Sequence, residues 1–180
     1  MTRSLQFAAF FVGLAAVCWV GAGYIGSNPL ALAITLLVAA FYLMGALELH
    51  RFHQATSTLA SAVEDLSVPP ASLGQWLDRL HPSLQNAVRL RIEGERIGLP
   101  GPALTPYLTG LLVLLGMLGT FVGMVVTLSG TGTALETASD LQAIRASLAA
   151  PVKGLGVAFG TSLAGVPASA TLGLLSALCR

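Results

Sequence analysis

Four stretches of this chain, residues 5–26, 29–49, 108–128 and 152–178, run for about twenty residues each and between them carry only two charged side chains, Glu48 and Lys153. A helix of that length crosses a hydrocarbon core of about 30 Å. Inside that core every backbone N–H and C=O must be bonded within the protein, so a spanning segment without water is helical. Charged residues are 9% of the 180 and the mean hydropathy is +0.79, where a soluble domain has about 25% charged residues. The fold class that follows is all-α: a polytopic membrane protein with four transmembrane helices.

The first stretch reaches the second after only Ser27-Asn28-Pro29. That spacing predicts a retained helical hairpin rather than a cleaved signal peptide. Orientation follows from the basic residues. Arg3, Arg51, Arg79, Arg89, Arg91, Arg96 and Arg180 fall on one side of a four-span arrangement, and Arg145 and Lys153 on the other. The positive-inside rule puts both termini and the segment after His50 in the cytoplasm. Trp19 and Tyr24 near the outer end of the first span fit an aromatic belt. Cys18 and Cys179 suit neither a disulfide nor a metal site, and a net charge of +1 gives no sign of nucleic-acid binding.

Three parts follow: a transmembrane hairpin over residues 1–49, a small helical cytoplasmic insertion over 50–103, and a second membrane pair over 104–180. The second span is expected to continue as a polar helix through residues 54–66, with Leu59, Val63 and Leu66 on one stripe and Pro69-Pro70 as its stop. A helix begins at Ser72, paired with Gln75 as a capping box, with Leu73, Trp76, Leu77 and Leu80 on one face. Another follows Pro82, with Leu84, Val88 and Ile92 inward. Leu99-Pro100-Gly101-Pro102 then turns the chain back to the membrane. Between spans three and four, Ser129-Gly130-Thr131-Gly132 reads as a turn. Ser139 with Gln142 opens a short amphipathic helix at the outer interface, lined by Leu141, Ile144 and Leu148. Lys153 snorkels to the same interface.

The last two spans carry the pattern with most bearing on function. In span three, Thr109, Gly116, Thr120, Gly123 and Thr127 share a sector of roughly 60°. In span four, Gly154, Ala158, Thr161, Gly165 and Ala168 form one small-residue face, with Ser162, Ser169, Gly173 and Ser176 beside it. Gly119/Gly123 and Gly156/Gly160 are GxxxG pairs, and small residues let membrane helices approach closely. Single hydroxyls in such spans commonly bond their own i−4 carbonyls. Aligned hydroxyls repeated around an axis would instead make rings able to hydrate a pore.

LLGMLGTFVGM (residues 114–124) and GLGVAFGTSLAG (154–165), in this order, resemble the paired core helices of the MotA/TolQ/ExbB proton-channel family. The four-span layout is similar to its MotA-like members, and the AFGTSLAG wording also to the ZorA-type subunit of Zorya anti-phage systems. The resemblance implies an ion-driven stator or force-transducing subunit in a bacterial inner membrane. It implies a homo-oligomer, a pentamer, around two copies of a single-span MotB-like protein with a membrane Asp and a peptidoglycan-binding domain. The coupling ion would be a proton, or else sodium, with no further cofactor and no enzyme activity. By the same resemblance Thr120 and Thr161 lie on the proton path, with Ser162, Thr127 and Thr109 beside them. Gly116, Gly119, Gly123, Gly156, Gly160 and Gly165 serve helix packing.

Two departures accompany it. Gly156 stands where ExbB- and TolQ-like relatives carry a membrane glutamate, so the titrating acid is expected from the partner. Relatives also extend their last helix into the cytoplasm, so the chain is expected to be the ordered part of a longer protein. Arg89, Arg91, Glu93, Glu95 and Arg96 form a mixed charge run that reads either as a solvated helix face or as a cytoplasmic docking surface. His50-x-x-His53 reads as an interface pair rather than half a metal site. The rival from another class is a non-conducting scaffold, in which the small-residue faces only pack and the chain anchors a cytoplasmic tail or an envelope protein.

Overall fold

The computed structural model describes residues 2–65, 72–96, 98, 101–136 and 141–179, and every regular element among them is a helix. In chain order these are α1 (Thr2–Tyr24), α2 (Pro29–Glu64), α3 (Leu73–Leu77), α4 (Pro82–Ile92), α5 (Thr105–Glu136) and α6 (Leu141–Leu178). Four stretches are long and apolar enough to cross a membrane: Ser4–Tyr24, Pro29–Glu64, Thr105–Ser129 and Ala158–Leu178. The expected four-span helical architecture is therefore present.

The α1–α2 hairpin closes on three residue types suited to it. Gly26 takes φ +79°, a left-handed conformation that costs a residue without Cβ nothing. Asn28 caps α2, its Oδ1 accepting from the amides of Leu30 and Ala31 at 3.2 and 3.3 Å. Pro29 occupies the first helical position, where its missing N–H has no partner to lose.

At 36 residues, α2 is about 54 Å long at 1.5 Å per residue, well beyond a bilayer core. Its far end forms a small polar head with α3 and α4. The buried stripe there is Ala55 and Ala62, with Leu59 partly buried, packed on Trp76, Leu77, Leu80, Leu84 and Val88. This corrects the expected stripe: Val63 is 52% exposed, and Leu66 lies outside the described residues. The two alanines let α3 and α4 lie close to α2, which a larger side chain would prevent. The Trp76 indole N–H donates to the Ala62 carbonyl at 3.1 Å. Three further expectations change. Ser72 precedes α3, a helix of five residues, but makes no side-chain cap bond. Leu73 and Ile92 face outward at the ends of their helices, 38% and 51% exposed. The turn expected at 99–102 falls partly outside the described residues.

α6 is the centre of the membrane bundle, packing against α5, α1 and α2. Val17, Val38, Tyr42, Leu112, Ala164, Ala168 and Leu172 form the shared core. Tyr42 is wholly buried; its ring stacks on Phe10 at 5.8 Å between centroids. Its hydroxyl donates to the Phe10 carbonyl at 3.0 Å, and Thr171 Oγ1 lies 3.4 Å from it. Gly13 makes room for this arrangement, since a Cβ there would collide with the Thr171 and Tyr42 hydroxyls. The outward surface is apolar: Trp19 is 84% exposed and Phe121 61%, as lipid contact requires. Tyr24 differs from the expected belt position. It is buried, because Gly160 on α6 opens a notch that takes its phenol.

The connection between spans three and four also differs from expectation. Ser129-Gly130-Thr131-Gly132 is helical within α5, which continues to Glu136. The segment expected as a separate interface helix is the first part of α6, 38 residues long with Pro151 and Pro167 inside it. A glycine costs a helix only about 1 kcal/mol, less than leaving backbone groups unpaired at the membrane edge. Ser139 of the proposed capping box lies outside the described residues.

Candidate functional site

The α5–α6 seam is built from absent side chains. A Cβ on Gly165 would fall 2.6 Å from the Leu112 carbonyl oxygen and 2.9 Å from the Gly116 Cα. On Gly116 it would lie 3.3 Å from the Gly165 Cα. Gly119 faces the Thr161 side chain, and a Cβ on Gly123 would meet that of Ala158 at 2.6 Å. The helices thus touch backbone to backbone, a contact worth its dispersion energy where no hydrophobic effect drives association. Ser162 and Ser169 then bond across the seam, to the carbonyls of Gly116 at 3.1 Å and Thr109 at 2.8 Å. Such interhelical bonds contribute about 0.6 kcal/mol on average.

Thr161, buried to 1%, donates to its own helix at Ala158 (2.9 Å) and approaches the Gly116 carbonyl at 3.4 Å. It belongs to the seam of a single chain. Thr120 and Thr127 sit at the edge of α5, partly exposed, with hydroxyls donating to Met117 and Gly123 at 2.6 Å each. Thr109 donates to Pro106 at 2.8 Å. Each donor is engaged, while the hydroxyl lone pairs of the partly exposed threonines can still accept from water.

The structure therefore brings Gly116, Gly119, Gly123, Thr161, Ser162 and Gly165 together at one crossing. Gly160 serves a different contact, α1 rather than α5. Gly156 has open space where its Cβ would be.

Sequence reasoning placed Glu48 at the edge of span two but missed what it does. Its carboxylate accepts from the Leu104 amide at 2.8 Å and the Thr105 hydroxyl at 2.7 Å. Thr105 is fully buried and opens α5. An acid from α2 thus caps the N-terminus of α5, where unpaired amides and the helix dipole both favour negative charge. As the sole acid in the four apolar stretches it was the available signal; its partner, 56 residues away, was not legible.

Of the charged run, Arg89 and Glu93 pair at 2.8 Å with both side chains well exposed. The bond and charge of Glu93 push the Arg89 guanidinium still higher than its ordinary value, so it stays cationic at any working pH. Exposed pairs of this kind contribute little to stability. Gly94, at φ +95°, ends α4 in a Schellman motif, with Glu95 N–H bonding Leu90 C=O at 3.0 Å and Gly94 N–H bonding Arg91 C=O at 3.3 Å. Arg91, Glu95 and Arg96 are exposed around it. His50 and His53 lie on α2, with His50 Nε2 3.1 Å from the Gln54 side-chain nitrogen.

No family model, curated protein or solved structure matches this chain.

Proposed function

We propose that this chain is the proton-channel or stator subunit of an ion-driven rotary or force-transducing complex in a bacterial inner membrane. Five copies would surround two copies of a MotB-like single-span partner carrying a membrane Asp. The observation that carries the reading is the chemistry of the α5–α6 pair. It combines backbone-close packing with partly exposed hydroxyls at Thr109, Thr120 and Thr127, and its two membrane stretches hold no acid. Glu48 is already committed to Leu104 and Thr105. A proton crossing beside this pair therefore takes its titrating group from another chain. In the proposed cycle the partner's Asp is protonated from outside along the Thr120 side of α5. Its neutralisation permits a step of the ring, and release to the cytoplasm resets it. The close seam keeps α5 and α6 together as one lever during the step.

A second reading has its own support. Every seam hydroxyl named above donates to a backbone carbonyl, as a purely structural hydroxyl would. A non-conducting scaffold needs no more than that. Native mass spectrometry of the complex from its host membrane separates the two. Five copies with two of a single-span, Asp-bearing chain, and proton flux abolished when that Asp becomes Asn, support the channel. A homo-oligomer without partner or flux establishes the scaffold.

A further inference from the structure

The polar head folds back along α2 towards the bilayer. Trp76 donates to the Ala62 carbonyl, and the His81 amide donates to the Thr58 hydroxyl at 3.1 Å. Leu84 and Val88, next along the chain, share a buried cluster with Ala55. Contacts that advance from residue 76 to 88 thus retreat along α2 from 62 to 55. One more turn of α4, about 6 Å, brings Ile92 to the level of Arg51.

That level is the membrane face. α5 begins there, Thr105 bonded to Glu48. The apolar stretches of α1 and α6 stop there as well, at Ser4 and Leu178, where Gln6 meets Cys179 beside His50. Ile92 continues the four-residue spacing of Leu84 and Val88, yet half of it is exposed, so the apolar edge of α4 emerges from the head at the bilayer surface. Its charged neighbours suit that position. Arg89 is paired with Glu93, which leaves Arg91 and Arg96, both exposed, against Glu95 alone. An apolar side chain flanked by a net positive charge is the pattern that settles at a phospholipid interface.

We propose that the end of α4 docks on the phospholipid surface, Ile92 entering the interface and Arg91 and Arg96 meeting lipid phosphates. The charged run then serves the membrane rather than a soluble protein partner, and the proposal stands or falls apart from ion transport. The test is spin labelling of the full chain in vesicles of phosphatidylcholine and phosphatidylglycerol, with Cys18→Ser and Cys179→Ser so that Ile92→Cys alone carries the label. Lipid-soluble oxygen is expected to relax this label more than an aqueous nickel chelate does. The same label at Leu73→Cys, in the part of the head further from the bilayer, should show the reverse. Arg91→Gln/Arg96→Gln removes two charges and should lower the ratio of docked to free head about thirtyfold, returning the label at 92 to the aqueous pattern. Matching accessibility at 92 and 73, or no response to the arginine changes, would overturn the proposal. So would a label at 92 shielded from both reagents in the host membrane, which would put a protein partner on this end instead.

Discussion

A single carboxylate, Glu48, ties the start of α5 to α2. Replacing it with Ala leaves the Leu104 amide and the buried Thr105 hydroxyl without an acceptor. Bonds to a charged group contribute about 1.5–3 kcal/mol, and a loss of that size is expected in detergent unfolding. Glu48→Gln, which keeps one acceptor oxygen, should lose less than half as much. Equal losses would show that a neutral acceptor of the same shape cannot replace the carboxylate, and no loss in Glu48→Gln would show that its charge contributes nothing. Among the glycines, position separates those that matter. Gly165→Ala drives a methyl into the Leu112 carbonyl, a backbone atom that cannot swing aside, and should cost about 1–3 kcal/mol. Gly110→Ala meets nothing within 4 Å and should be neutral or slightly stabilising. The two variants, unfolded side by side, check the seam directly. At this scale the GxxxG spacing was legible, but which glycine faces which neighbour was not. Gly160 and Gly156 share a spacing with Gly119 and Gly123, yet one receives a tyrosine of α1 and the other faces open space.

Elements show where local pattern and tertiary contact part company. Apolar length located every long helix; for the polar segments between them the guide was periodicity. It misplaced the α5–α6 turn because Ser-Gly-Thr-Gly is only a weak preference against a continuing helical ladder. It also misjudged the head of α2, where the buried residues are alanines, too small to register in a stripe of large side chains. Trp76 holds that head in place. Trp76→Phe keeps the ring but removes the bond to Ala62, and should raise amide exchange in α4 while leaving α5 and α6 unchanged. The end of α6 offers a pH test. Burial pushes the Cys179 thiol up from its ordinary value, so less thiolate is present at any given pH and alkylation is slow. With Cys18 changed to Ser, the alkylation rate should keep rising with pH past about 8.5, the value for a free cysteine. A plateau at that value would mean that the thiol is exposed.

At the scale of the whole molecule, the exposed apolar faces leave room for the oligomer and partner proposed above. Thr120→Val keeps the volume of a partly exposed side chain while deleting its hydroxyl. Proton flux through the assembled complex should fall about two- to tenfold, the rate equivalent of one hydrogen bond of about 0.5–1.5 kcal/mol. Thr161→Val has a different expected signature. Its hydroxyl lies in the seam, so the change should lower thermal stability along with flux. Flux unchanged in Thr120→Val would remove that residue from the path.

What the sequence by itself determined is the class of fold: four apolar stretches of bilayer length permit little but helices, because lipid offers backbone groups no partner. The hairpin at Ser27-Asn28-Pro29 and the extension of the second span into a polar head were legible for equally local reasons. Tertiary structure alone decided which faces meet. Glu48 reaching α5, Tyr42 joining α1 to α6, and Tyr24 filling the notch at Gly160 are contacts between residues far apart in the chain. In a membrane, where every helix is apolar all round, no hydrophobic stripe marks the buried side. Shape and a few polar bonds choose it instead, and those exist only once the helices are side by side.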